Sequence, residues 1–255
     1  MRLAELRDRL DEELRVGDYA GVDASANGLQ VGPRDAAVET VAFAVDAALA
    51  TIEDAAAAGA DLLVVHHGLV WDGLERVTGR AYDRIAALLE ADLALYVAHL
   101  PLDGHQSLGN AAGVADLLGL TDRAPFGDAG GEPIGVRGTL AETAEVDELA
   151  ALLAASLDTG GQAVRVLDFG PAVLEDVAVL TGAGADFFDA AVASGVDAFV
   201  TGEGKGRLYH EAREAGVHVL LAGHYATETA GVRALADLVA GWGPETTFLD
   251  HPTGL

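Results

Sequence analysis

Short apolar runs of strand length alternate with helix-length segments along this chain, a pattern that points to an α/β architecture. "ETVAFAVDA" reads as a strand, "ALATIEDAAAAGA" as a helix and "DLLVVHH" as the next strand. "GRAYDRIAALLEAD" then reads as helical and "LALYVAHL" as extended. Glycine, proline and aspartate cluster in residues 117–133, "LLGLTDRAPFGDAGGEP", which reads as a linker. Beyond it, strands at "IGVRGTL", "QAVRVLDF", "DVAVLTG", "VDAFVTG", "VHVLLAGH" and "ETTFLD" are interspersed with further helices. The expectation is two α/β lobes, 1–124 and 125–255, with mixed or mostly parallel sheets flanked by helices.

Composition narrows the chemistry. Of 255 residues none is cysteine, which excludes disulfides, thiolate ligands and a cysteine nucleophile. Imidazole and carboxylate remain as the metal-binding groups. Acids outnumber bases 41 to 15, for a formal net charge of -26, and Lys205 is the only lysine. Nucleic acid is an unfavourable partner for such a surface, because phosphates must be neutralised by basic groups. No apolar run approaches the roughly 20 residues of a membrane span. The start, "MRLAELRDRLDEEL", has helical spacing with interspersed acids, unlike a signal peptide. Cytoplasmic residence is the expectation, in a salt-rich interior that screens the self-repulsion.

Three stretches carry ligand-type residues at the ends of apolar runs. In "LLVVHHGLVW" two histidines and a glycine close a buried strand. Successive strand side chains face opposite ways, so His66 and His67 reach one cavity only if a turn begins at the pair. "YVAHLPLDGH" holds His99, Asp103 and His105, and "VLLAGHYATETAG" holds His224 and Glu228 at an i, i+4 spacing. Each has an ordinary reading as a loop, a turn or a surface ion pair. Parallel strands nevertheless bring such loops to one sheet edge, which is where open α/β sheets place ligands.

These motifs, with "NGLQVG", "FAVDAA", "AHLPLDGHQSLGN", "VLTGAGAD" and "FVTGEGKGR", resemble the dinuclear-metal hexameric family known as GTP cyclohydrolase I type 2. The resemblance covers nearly the whole chain. It implies His66, His67, Asp103, His224 and Glu228 as ligands to two divalent ions per subunit, from among zinc, iron, manganese, cobalt and nickel. It also implies a metal site at strand ends between the lobes, with residues 220–255 packing back to complete it. A toroidal homohexamer and a small-molecule substrate, a nucleotide such as GTP, follow from the same resemblance. The reaction would be attack of activated water at purine C8 with release of formate. One departure is that Asn110 is followed by Ala111, where the family often has a second asparagine.

His99 and His105 are the candidates for moving protons, on sequence proximity. Asp46 and Glu203, near strand ends, are candidates for supporting a site, and Trp71 for sealing the histidine loop against the core. "TGAGAD" lacks the third glycine of a dinucleotide fingerprint, and "TGEGKGR" lacks the spacing of a P-loop. Lys205 and Arg207 could still meet phosphate. Beside the hydrolase stand two other classes: a non-catalytic metal storage, delivery or sensing protein, and a hexameric scaffold with structural metals. The charge imbalance has a direct consequence: the melting temperature should rise as KCl is added to molar concentration. A steady fall would overturn the salt-rich assignment.

Overall fold

The computed structural model describes residues 1–255. The chain forms two compact units, one of Met1–Leu102 with Val232–His251 and the other of Asp103–Gly231 with Pro252–Leu255. In chain order, the first unit contains α1 (Leu3–Glu13), α2 (Val16–Tyr19), β1 (Gly28–Val31), β2 (Thr40–Asp46), α3 (Leu49–Ala57), β3 (Leu62–His67), α4 (Arg80–Glu90) and β4 (Ala94–Val97). The single turn α5 (Leu100–Asp103) leads out of it.

The second unit continues with α6 (Asn110–Leu117), β5 (Leu120–Ala129), β6 (Glu132–Ala144), α7 (Val146–Ser156), β7 (Arg165–Leu167) and β8 (Leu174–Val179). A 3-10 turn at Gly184–Phe187 precedes α8 (Phe188–Ala193), β9 (Ala198–Thr201), α9 (Leu208–Ala215), β10 (His218–Leu221) and α10 (His224–Thr227). The chain returns along α11 (Thr229–Ala240) to β11 (Glu245–Phe248).

Each unit is built on one mixed sheet. The first is ordered β1-β4-β3-β2-β11, with β11, β2, β3 and β4 parallel and β1 antiparallel at the edge. Its three inner strands, β2, β3 and β4, are apolar on both faces, as a sheet covered by helices requires. Phe43, Leu62, Leu63 and Leu95 are fully buried, and each such side chain contributes about 1.5–3 kcal/mol by leaving water. The second sheet is ordered β5-β6-β8-β9-β10-β7, with only β8, β9 and β10 mutually parallel. Its core joins α6 and α7 to β6, β8 and β9 through Ala111, Leu149, Leu153, Val177 and Val200.

Both units use the same device to start a strand. Asp61, before β3, accepts the N–H groups of Glu39 and Thr40 at 2.8 and 3.0 Å. Asp197, before β9, does the same for Glu175 and Asp176 at 2.8 and 3.0 Å. A βαβαβ run therefore recurs, β2 to β4 and β8 to β10, under a sequence with no visible repeat.

The division differs from the 1–124 and 125–255 split at two places: the first unit ends at Leu102, and it regains Val232–His251. Residues 117–133 are not a linker: they contain β5 and the turn into β6, where Ala129 pairs with Glu132 around Gly130 and Gly131. Both glycines have positive φ, 67° and 101°, as a tight primed hairpin turn demands. Turn chemistry was legible there, but two long strands flank it. The return of Val232–His251 to the first unit adds β11 beside β2. Gly131→Ala has open space for its methyl group, so only backbone strain opposes it. It should cost about 1–2 kcal/mol, read as a lower denaturant midpoint at unchanged slope.

Candidate metal-binding site

Parallel pairing lines up the carboxyl ends of β2, β3 and β4, so Asp46, the histidine pair and His99 arrive at one edge of the first sheet. Strand β3 runs through His66 and His67, with His67 in register with Asp46 of β2. The turn expected at the pair begins after it, at Gly68. A Cβ there would lie 2.4 Å from Val97 Cγ2 and 2.6 Å from Gln30 Oε1. Gln30 holds the departing loop, accepting the N–H groups of Leu69 and Val70 at 2.8 and 3.1 Å. The imidazoles of His66 and His67 nonetheless meet, with centroids 4.6 Å apart, and His99 lies 5.1 and 5.7 Å from them. One ligand nitrogen from each of the three falls within 4.8 Å of the others.

Each ring is turned by the same kind of bond. His66 Nδ1 contacts Ala98 O at 2.8 Å, His67 Nδ1 contacts Asp46 Oδ1 at 2.9 Å, and His99 Nδ1 contacts Asp23 Oδ1 at 2.9 Å. A carbonyl or carboxylate oxygen has no proton to give, so Nδ1 donates and the lone pair sits on Nε2. This is how metal-binding imidazoles are oriented. Asp23 is the best satisfied of the acceptors: it also receives Asn27 Nδ2 at 2.7 Å and the N–H groups of Ser25 and Leu100 at 2.9 and 3.0 Å. Burial works to raise its pKa, but His99 and these donors outweigh it and hold the carboxylate below its usual range.

The second unit assembles the remaining donors at the ends of its parallel strands. Asp103 ends α5, is 8% exposed, and accepts Asn110 Nδ2 at 2.9 Å and Thr181 Oγ1 at 3.2 Å. Asn110 in turn accepts the N–H of Gly231 at 3.0 Å, tying α6 to the start of α11. His224 opens α10 and Glu228 follows its last residue, so the i, i+4 spacing brings His224 Nε2 and Glu228 Oε1 to 3.2 Å. A carboxylate oxygen of Asp103 and one of Glu228 lie within 4.8 Å of each other. Gly182 forms the floor at φ 58°, where a Cβ would sit 2.2 Å from Glu228 Oε1 and 3.0 Å from His224 Nε2.

Glu203 lies 3.5 Å from His224 Nδ1. Burial alone would lower the pKa of His224, but hydrogen bonding and charge from Glu228, then Glu203, raise it to about 9. The folded value exceeds the ordinary 6.5, so protonated His224 stabilises the fold fully below about pH 6.5. That contribution fades as the pH climbs through about 9. A divalent ion held at His224 would compete with this proton, since a ligand imidazole must be neutral. The donors fit divalent metals of the borderline class: neutral imidazoles, ionisable carboxylates and a glycine floor that keeps Cβ atoms away.

The family model described as Duf34/NIF3 (NGG1p interacting factor 3) matches residues 1–253. The chain belongs to the DUF34/NIF3 family. A Halobacterium salinarum relative named "GTP cyclohydrolase 1 type 2 homolog" is 64% identical over 255 residues, covering 100% of both chains. Among solved structures, the protein ybgI, whose function is given as unknown, matches with a TM-score of 0.90 at 38% identity over 100% of both chains. TTHA1606 from Thermus thermophilus matches at 0.89 and 38%, again over 100% of both.

Within this NIF3-family chain, the first unit gathers His66, His67 and His99, and the second gathers Asp103, His224 and Glu228. His105 is placed differently: its Nδ1 accepts the N–H of Leu108 at 3.0 Å, so it caps the turn before α6. Asp46 and Glu203 each contact a ligand-type imidazole. Trp71 is 40% exposed and stands edge-on to His99 at 4.9 Å, so it does not seal the loop into the core. Lys205 and Arg207 both bind Asp186. In "TGAGAD", the N–H of Gly184 is taken by Thr201 Oγ1 at 3.0 Å, a structural strand-to-helix turn. Asp23 escaped sequence reasoning because it lies in an irregular segment, 76 residues from its histidine. Asn27 and Gln30 lay within a quoted motif, "NGLQVG", that assigned them no task.

Glu228→Gln should lower metal content after dialysis while leaving the circular-dichroism spectrum unchanged. Full metal retention would remove Glu228 from the ligand set.

Proposed function

We propose that this chain is a dinuclear-metal-dependent hydrolase whose ligands are His66, His67, Asp103, His224 and Glu228. The observation that carries the reading is the trio His66, His67 and His99, each holding its Nδ1 proton on an oxygen and directing its Nε2 lone pair elsewhere. Divalent ions held there would acidify water and polarise an electrophile. Of the two histidines considered for proton transfer, His99 has a carboxylate behind its Nδ1, whereas His105 accepts the Leu108 amide at Nδ1 and keeps only Nε2 for a proton. His99 can take a proton at Nε2 and return it, with Asp23 stabilising the imidazolium at Nδ1. Asp46 and Glu203 set the orientation and basicity of His67 and His224.

A small-molecule substrate is part of the proposal, and the relatives' name, GTP cyclohydrolase 1 type 2 homolog, directs it to a nucleotide. On GTP the reaction is hydrolytic opening of the imidazole ring at C8 with loss of formate. The homohexamer belongs to the same reading. It should give a light-scattering mass about six times that of the 26.0 kDa chain.

A second reading has its own support. Asp103 and Glu228 are 8% and 3% exposed, and donors so enclosed suit a closed, structural or storage site. Elemental analysis in high-salt buffer, followed by formate release from GTP on the same sample, separates the readings. The hydrolase should carry about two metals per chain and release formate only when loaded. Two metals without formate release, from GTP or from other nucleotides and phosphoesters, would leave metal storage, delivery or scaffolding in its place.

A further inference from the structure

The first unit holds a second concavity, on the loop that follows the histidine pair. It is a cavity of about 500 Å³ with an apolar wall of Leu69, Leu74 and Ile85 and a polar wall of Thr78, Arg80 and Arg84; no acid lines it. In a chain with 41 acids, that is an unusual place for two arginines. Arg2, Arg7, Arg15, Arg123, Arg207 and Arg233 each bind a carboxylate, whereas Arg80 and Arg84, like Arg34, Arg76, Arg137, Arg165 and Arg213, make no ion pair. They stand i, i+4 on α4, so both side chains project from one helix face.

Helix α4 adds to the positive potential. It is 11 residues long, its N-cap is Gly79 with no side-chain cap, and its first turn lines the cavity through Arg80 and Ala81. The first intrahelical bond runs from Asp83 N–H to Gly79 O at 3.0 Å, leaving the N–H groups of Arg80, Ala81 and Tyr82 outside the ladder. Arg76, exposed on the preceding loop, brings a third guanidinium close in sequence. Leu69 is two residues beyond His67, so their Cα atoms are at most about 7.6 Å apart. Leu69 therefore puts one wall of the cavity within a short reach of His67.

We propose that this cavity is an anion subsite that receives the phosphate chain of a nucleotide whose reacting ring lies at the histidine cluster. The assignment rests on the hydrolase reading and names its substrate class. Guanidinium groups match phosphate oxygens in charge and geometry. The net charge of -26 repels an anion at long range, so its recognition must come from local groups. The apolar wall strengthens it by excluding water.

The test is calorimetric titration of the full-length protein, metal-loaded in all but the Glu228→Gln variant, with inorganic triphosphate, GTP and guanosine at one fixed salt concentration. It compares wild type, the double variant Arg80→Gln/Arg84→Gln, Arg213→Gln and Glu228→Gln. The double variant should keep its metal content and melting temperature, lose about tenfold or more in affinity for triphosphate and GTP, and bind guanosine as wild type does. Arg213→Gln, on α9, should bind like wild type and so exclude a general charge effect. Glu228→Gln should keep arginine-dependent triphosphate binding, which separates this subsite from the metal reading. Triphosphate affinity unchanged in the double variant but lost in Glu228→Gln would put the phosphates on the metals and overturn the subsite. Free triphosphate binding much more tightly than GTP would overturn the nucleotide assignment in favour of inorganic polyphosphate.

Discussion

Parallel strand pairing is the constraint on which the rest of this structure depends. Because β2, β3 and β4 run the same way, their carboxyl ends share an edge, and residues far apart in sequence come into hydrogen-bonding range. Asp46 reaches His67 across 21 residues, and Ala98 O reaches His66 across 32. The second sheet repeats the logic with β8, β9 and β10, whose ends deliver Gly182, Glu203 and His224. The buried strands set the positions, and the residues just past them supply the chemistry.

Orientation comes from a further layer of acceptors. A histidine at a strand end can rotate, and a site needs one nitrogen aimed and the other held. Here a carbonyl and two carboxylates do the holding in the first unit. Asp23 is itself fixed by Asn27 and the backbone N–H groups of Ser25 and Leu100, so His99 rests on a satisfied network. In the second unit the close approach of Glu228 and His224 requires a glycine at 182, since any side chain there would collide with both.

Electrostatics divides this molecule into a repulsive whole and a few local exceptions. The acid excess is spread along the chain, and the exposed ion pairs within it each add little on their own. Several of the arginines named above answer a neighbouring carboxylate. Arg80 and Arg84 instead face a cavity with an uncapped helix start beside them.

The sequence by itself determined the α/β class, the order of most strands and helices, and the ligand-type residues at strand ends. These are local matters: apolar periodicity specifies β2, α3, β3 and α4, and the histidine and carboxylate motifs interrupt it visibly. Hairpin β5–β6 was hidden because its glycines and aspartates resemble a linker and its strands are half exposed. Tertiary structure alone decided that β11 returns to β2, that Asp23 serves His99 and that His105 caps a turn. It alone also decided that both histidines of the pair share a cluster although the strand continues through them. Each of these depends on contacts between distant residues, which carry no period and leave no mark on the neighbouring sequence.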